Sequence, residues 1–249
     1  MDIKLARRLS GLTSDFYRHV GDSFSTTRQH GWPGWQRVLE VTGLEQWACA
    51  EPLTVLDLAC GNRRFARYLC EQGIYADVWG VDNCDDLARS ERVLQDGCSL
   101  GHYQHLDIMD TLFEGRDLAR GISAPPCDLA VCFGFMHHIP LPEQRARILE
   151  ALLAHTKPEG YVALTFWAFA RNERMLAKAT PVTCGNEGDY LLGWQGRSDV
   201  QRYCHSFQES EIDDLVQGLG SRVREAARFW ADGRTGDLNR YLILQLLAS

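Results

Sequence analysis

The chain has 249 residues, of which 45% are hydrophobic and 24% charged, which excludes a disordered, collagenous or coiled-coil protein and leaves room for a normal hydrophobic core. Its 33 acidic and 26 basic side chains give a net charge of −7, so it has no global electrostatic hold on nucleic acid. Only Lys4, Lys157 and Lys178 among the basic residues are Lys, and the resulting Arg bias suits bidentate capture of carboxylate or phosphate.

In chain order, residues 1–50 read as polar helices interrupted at His30-Gly31-Trp32-Pro33-Gly34. The apolar run Leu53 to Cys60 predicts a strand buried on both faces. Gly61-Asn62 turns the chain into a helix over Arg63 to Gln72, which Gly73 stops. A second strand over Ala76 to Val81 ends at Asp82, and a helix follows over Asp85 to Gln95. A third strand over Leu100 to Leu106 ends at Asp107, and a fourth, Asp128 to Phe133, follows the breaker Pro125-Pro126. Pro142 opens a helix to His155, and Lys157-Pro-Glu-Gly turns into a fifth strand, Tyr161 to Phe166. Residues 170–205 break this rhythm and read as an inserted lid. A helix over Gln208 to Leu219 precedes strands at Val223 to Phe229 and Asn239 to Leu247, joined by Asp232-Gly233. Strands alternating with helices at this spacing imply a mostly parallel α/β sheet with helices on both faces.

The nine cysteines contain no CxxC pair and several lie inside apolar runs, which reads as free thiols in a reducing cytoplasm with neither a disulfide frame nor a metal site. The polar N-terminus has no secretion signal, and no run of 18 apolar residues exists to cross a membrane.

In an open parallel sheet, ligands bind beyond the carboxyl ends of the strands. Three strand ends here carry an acid: Asp57, Asp82 and Asp107. An acid after the second strand suits ribose hydroxyls, and one further along suits an adenine amino group. The first turn, Asp57-Leu-Ala-Cys-Gly-Asn-Arg-Arg, has a single glycine and an acid in front. That pattern disfavours a pyrophosphate, which needs glycines and a helix N-terminus. It suits a nucleoside cofactor that carries positive charge and no phosphate.

Val55-Leu-Asp-Leu-Ala-Cys-Gly-Asn-Arg63, with Asp82, Asp107-Ile108 and Lys157-Pro-Glu-Gly-Tyr161, resembles the class I S-adenosylmethionine-dependent methyltransferases over residues 53–167. Ala59 and Arg63 stand where that family prefers Gly. The resemblance implies a Rossmann-like fold with a seven-stranded sheet, S-adenosylmethionine as cofactor, and Asp57, Ala59, Gly61, Asp82, Asp107, Ile108 and Phe133 as its binding residues. Arg63 starts a side chain where the cofactor's amino-acid end lies, to obstruct it or to clasp its carboxylate.

Outside that core, Phe24-Ser-Thr-Thr-Arg-Gln-His-Gly-Trp-Pro33, Met136-His-His-Ile139, Thr165-Phe-Trp-Ala168, Asp189-Tyr-Leu-Leu-Gly-Trp194 and Arg202-Tyr-Cys-His-Ser-Phe-Gln-Glu-Ser-Glu211 are similar to blocks of the tRNA wobble-uridine carboxymethyl methyltransferases, with Gly193 for a Pro and Cys204 for a Tyr. This implies methylation of a carboxylate on tRNA, and a small zinc-binding partner protein. A carboxylate is already ionised at pH 7, so the reaction needs an in-line approach and a cation to orient the acid. Arg28 and Arg202 are the candidate clamps, with His138 and His205 as hydrogen-bond donors. Tyr17, Trp32, Trp167, Trp194 and Tyr203 are candidate acceptor contacts. Residues 1–50 are then a helical cap, and 51–249 the methyltransferase domain with its lid at 170–205. The alternatives are a methyltransferase acting on a metabolite, which the acidic charge favours, and a cofactor-binding protein without catalysis, in which Arg63 blocks productive binding.

Overall fold

A computed structural model describes residues 1–27, 30–44, 51–89 and 101–248. The chain begins with α1 (Ile3–Thr26) and α2 (Pro33–Thr42). It continues as β1 (Leu53–Leu58), α3 (Arg64–Glu71), β2 (Ala76–Asp82), α4 (Asp85–Arg89), β3 (His102–His105), α5 (Ile108–Phe113), α6 (Leu118–Gly121), β4 (Cys127–Cys132), α7 (Pro142–Ala154) and β5 (Thr156–Trp167). Then come α8 (Glu173–Leu176), β6 (Ala179–Pro181), β7 (Asp189–Trp194), β8 (Arg197–His205), α9 (Glu209–Gln217), β9 (Val223–Ala231) and β10 (Asn239–Leu246).

Seven strands form one sheet in the order β3-β2-β1-β4-β5-β10-β9. The strands from β3 to β5 pair in parallel, whereas β10 is antiparallel to both its neighbours. Both faces of the sheet are covered, which is why the central strands read as continuous apolar runs. Leu56, Leu58, Ala130, Val162 and Leu164 pack on one side with Ile148 and Leu152 of α7. Val55, Leu129, Val131, Ala163 and Ile243 pack on the other with Trp35 and Leu39 of α2 and Phe65 of α3.

The two N-terminal helices carry their own start and stop signals. The Asp2 carboxylate accepts from the Leu5 amide, 2.8 Å, and caps α1. Pro33 opens α2 and Gly43, at φ 66°, ends it. Helix α1 buries Ala6, Leu9, Thr13, Phe16 and Val20, a stripe with helical spacing.

The inserted segment is more ordered than its composition suggests. It contains α8 and an antiparallel sheet, β6-β7-β8, on which α1 packs. Gln195 and Gly196, at φ 50° and 82°, turn β7 into β8 with two consecutive left-handed residues, the backbone of a two-residue hairpin that Asn-Gly would have announced more clearly. The fifth strand begins at Thr156, ahead of Tyr161: Lys157 to Gly160 form an irregularity between the paired Thr156 and Tyr161, with Glu159 at φ 62°. Residues 90–95 of the expected fourth helix lie outside the described residues. Cys60, Cys84, Cys127, Cys132, Cys184 and Cys204 are free thiols. Cys70, half-exposed near the end of α3, is disulfide-bonded, which corrects the expectation of free thiols throughout. No helix of the described residues is long and apolar enough to cross a membrane.

Candidate active site

A cavity of about 860 Å³ opens at the carboxyl ends of the parallel strands, between the sheet and α1. Its floor is the turn between β1 and α3. The Ala59 and Cys60 amides donate to the Val81 carbonyl, at 2.8 and 3.2 Å, and the Gly61 amide donates to Asp82 Oδ2, 2.8 Å. A Cβ at Gly80 would stand 2.9 Å from Cys60 Sγ, so Gly80 lets this turn settle against β2. Ala59, Gly61 and Arg63 all have left-handed backbones, at φ 62°, 51° and 55°. That explains a preference for glycine at such positions, since an L side chain there costs roughly 1–2 kcal/mol.

Asp57, Ala59, Gly61, Asp82, Asp107, Ile108 and Phe133 all line the cavity. The Cys84 amide donates to Asp82 Oδ1, 2.9 Å. Asp107 Oδ1 accepts from the Asp110 amide, 2.9 Å, and its Oδ2 accepts from Asn83 Nδ2, 2.6 Å. The carboxyls are thus aimed by the backbone that follows each strand. Burial pushes Asp57 up to about 7, with Asp82 raising it further and Arg63 and Arg64 opposing. Burial also raises Asp82, against the amides of Gly61, Cys84 and Asn83. Two neighbouring carboxyls with raised pKa form a place prepared for a positive charge.

Arg63 is buried but is not part of the cavity wall; its Nη2 donates to the His102 carbonyl at the β3 edge, 3.3 Å. The obstruction on which the non-catalytic alternative rested is therefore not in the cavity. Arg64 lines it instead, stacked over Trp32 and Trp35 at 4.8 and 5.0 Å.

The opposite wall comes from α1, the Met136–His138 turn after β4, the end of β5, and β8. Tyr17, His138, Trp167 and Arg202 lie on it, and Trp32, at the start of α2, lines the cavity beside Arg64. His138 is buried, and its Nδ1 donates to the Tyr203 carbonyl, 2.8 Å, leaving Nε2 to accept from Tyr17 Oη, 2.9 Å. Arg202 is 6% exposed, yet its Nε and Nη1 have no hydrogen-bond partner in the protein. Phe16, Trp194 and Trp167 surround its guanidinium at 4.5, 5.9 and 6.0 Å. A buried guanidinium in a cavity wall with two unmet N–H groups is suited to an anion, because leaving such donors unmet costs free energy.

Trp194, Tyr203 and His205 are not brought to the cavity. Trp194 donates from Nε1 to Ser23 Oγ, 3.0 Å, and walls the far side of Arg202. Tyr203 and His205 are buried behind β8, both on Asp189. Arg28 lies outside the described residues. His137, His138 and Cys204 bring a potential ligand atom each within 4.8 Å of one another. Both nitrogens of His138 are engaged, however, and burial pushes the Cys204 thiol up to about 11, so this cluster is poorly prepared to ligate a metal.

A methyltransferase domain model matches residues 34–226. The chain belongs to the methyltransferase domain family. Its fold is shared with an S-adenosylmethionine-dependent methyltransferase of Methanosarcina mazei, at a TM-score of 0.59 and 22% identity over 83% of this chain and 98% of that one. It is also shared with a Burkholderia thailandensis 1,6-didemethyltoxoflavin-N1-methyltransferase bound to S-adenosylhomocysteine, at 0.56 and 16% over 94% and 87%. In sequence it is 27% identical over 210 residues to an Encephalitozoon cuniculi protein named only as a putative methyltransferase, covering 84% of this chain and 86% of that one. It is 24% identical to a tRNA (carboxymethyluridine(34)-5-O)-methyltransferase of Macaca fascicularis over 83% of this chain, and to one of Arabidopsis thaliana over 72%. The chain spans only 26% and 38% of those two proteins.

The acids at three strand ends fit the cationic, phosphate-free cofactor of a methyltransferase. Sequence reasoning missed Ser10 and Ser14 of α1, Asn83, Met109, His137 and Asn239, which also line the methyltransferase cavity. Asn83 was findable as the residue after the acid that ends β2. The α1 serines were not, because only packing on β8 turns that helix face toward the site.

Proposed function

We propose that this chain transfers a methyl group from S-adenosylmethionine to a carboxylate on a modified wobble uridine of tRNA. The observation that carries the reading is Arg202, a buried guanidinium in the cavity wall whose Nε and Nη1 have no hydrogen-bond partner. The 24% identity to two enzymes named for carboxymethyluridine at tRNA position 34 supports the choice of acid.

In this reading Asp57, Asp82 and Asp107 hold the cofactor, which supplies an electrophilic methyl group when bound. The acceptor carboxylate is ionised before it arrives, so no residue has to remove a proton. Arg202 orients it by one or both oxygens and leaves a lone pair for in-line attack. Too many donors on the attacking oxygen would stabilise the ground state, and the aromatic walls around Arg202 limit their number. Tyr17 Oη gives its proton to His138 and so offers the acceptor only a lone pair, for an N–H or O–H of the base and not for the carboxylate. Helix α1 and the β6-β7-β8 sheet form the acceptor side.

The test is transfer of labelled methyl from S-adenosylmethionine to fractionated RNA and small molecules from a strain lacking this chain. Alkali-labile label in tRNA is expected, and label confined to small molecules would move the acceptor to metabolites. Arg202→Gln should lower kcat/KM for the acceptor about 100-fold, equivalent to about 3 kcal/mol, with cofactor affinity within twofold of the parent. Equal loss of both would return Arg202 to a structural role.

A further inference from the structure

Arg202 reaches the cavity from β8, a strand whose anchors lie on the other side. From outside inward, Arg145 Nη1 donates to Glu211 Oε1, 3.1 Å. His205 Nε2 lies 2.8 and 3.0 Å from the two Glu211 oxygens, and its Nδ1 lies 2.7 Å from Asp189 Oδ1. Tyr203 Oη donates to the same Asp189 oxygen, 2.5 Å. The Tyr203 carbonyl then accepts from His138 Nδ1, and His138 Nε2 accepts from Tyr17 in the cavity wall. This chain ties α7, α9, β7 and β8 to the site. Arg145, Asp189, Tyr203 and His205 are each 3% exposed or less.

Stability alone does not account for such a chain, since a buried ionic network is often matched or exceeded by apolar side chains of the same volume. What it adds is geometry, because every member has a fixed partner. Tyr203 and His205 share one face of β8 with Asp189 opposite His205 in register, while Arg202 alternates to the other face. Fixing Tyr203 therefore fixes both the direction of Arg202 and the carbonyl that sets the His138 tautomer.

We propose that Asp189, His205 and Glu211 are positioning residues for methyl transfer, holding β8 so that Arg202 faces the acceptor and His138 keeps its proton on Nδ1. The proposal rests on the reading of Arg202 as the acceptor clamp. His205 acts through Tyr203 and touches neither cofactor nor acceptor.

The experiment compares the full-length parent with His205→Gln, Asp189→Asn and Tyr203→Phe. Four quantities are read: kcat and KM on total tRNA from a strain lacking this chain, S-adenosylmethionine affinity by calorimetry, unfolding midpoint, and the ¹⁵N signature of the His138 ring. The expected result is a 10- to 100-fold loss in kcat/KM with cofactor affinity within twofold, and a His138 ring that leaves the pure Nδ1–H form. Tyr203→Phe removes one hydroxyl and keeps the ring in the core, so it serves if the other two fail to fold, with an expected five- to tenfold loss and the same ring signature. A lowered midpoint with unchanged kinetics and an unchanged His138 signature would overturn the proposal. Arg202→Gln separates the two ideas. If it leaves acceptor kinetics intact, the clamp reading fails. If it is impaired while the His205, Asp189 and Tyr203 variants are not, the positioning role alone fails. The ring signature needs no acceptor and reports even if the acceptor is not tRNA.

Discussion

If Asp57 holds the cofactor as proposed, it is the residue through which pH reaches cofactor binding. Its raised pKa, about 7, comes first from burial and then from Asp82. At ~1.4 kcal/mol per pH unit, ionising it costs the folded, cofactor-free chain roughly 4 kcal/mol relative to an ordinary carboxyl. A cationic ligand removes that cost by favouring the carboxylate. S-adenosylmethionine affinity is therefore expected to fall as pH drops below about 7, and Asp57→Asn should bind weakly with a flatter profile, its remaining slope coming from Asp82. Calorimetry between pH 5.5 and 8 checks both, and a parent profile as flat as the variant's would remove Asp57 from the linkage. The acids at the strand ends were legible because a carboxylate after a buried strand has few other roles. The direction of Arg63 was not, because a left-handed residue at a helix start sends its side chain where the neighbouring strand allows.

Among the elements, α2 shows how one glycine seats a helix. The Gly34 amide donates to Asp232 Oδ1, 3.0 Å, and Asn239 Nδ2 and Tyr241 Oη donate to its Oδ2, 2.8 and 2.7 Å. A Cβ at Gly34 would meet the Tyr241 ring at 2.3 Å. Gly34→Ala should therefore destabilise the fold by about 1–3 kcal/mol, the range for forcing a methyl into a filled site, read as a lower urea midpoint with unchanged m. Pro33 and Gly43 marked this helix in the sequence, but its docking on the β9–β10 turn depends on a residue almost 200 positions away. The β6-β7-β8 sheet was hidden for a similar reason. Its longest strand, β8, is mostly polar and charged, and the burial of Tyr190, Leu192 and Cys204 depends on packing with Trp167, Phe169 and Met175 from elsewhere in the chain.

At the scale of the molecule, two kinds of carboxyl set opposite pH limits. Asp57 and Asp82 are raised, so the stability they confer is full below the ordinary carboxylate range and is lost as pH rises through their folded values, near 7 for Asp57. Glu211 is lowered: burial raises it, but hydrogen bonds from His205 and the Gln208 amide, with Arg145 nearby, outweigh that. Its stabilisation is present above the usual glutamate value, about 4.3, and is lost as pH falls through its lower folded value. These groups together place the best thermal stability of the cofactor-free protein near the ordinary carboxylate range, about pH 4 to 5, with the loss on the alkaline side complete by about pH 7. Asp57→Asn should flatten the alkaline side of a melting-temperature profile and Glu211→Gln the acid side. A profile that rises steadily to pH 8 would contradict the burial argument for Asp57.

The alternation of strands and helices, the apolar runs of the double-covered sheet and the acids that close its strands can all be read from the order of residues. These are local patterns, written in periods of a few residues and in turn chemistry. Which candidates share the cavity depends on the folded chain. It sets Arg202 in the cavity wall with unmet N–H groups, turns Arg63 away, and buries His205 behind the strand that carries Arg202. Those outcomes follow from which face of a strand meets α1 and from hydrogen bonds between residues far apart in the chain, and neither is written in the local pattern.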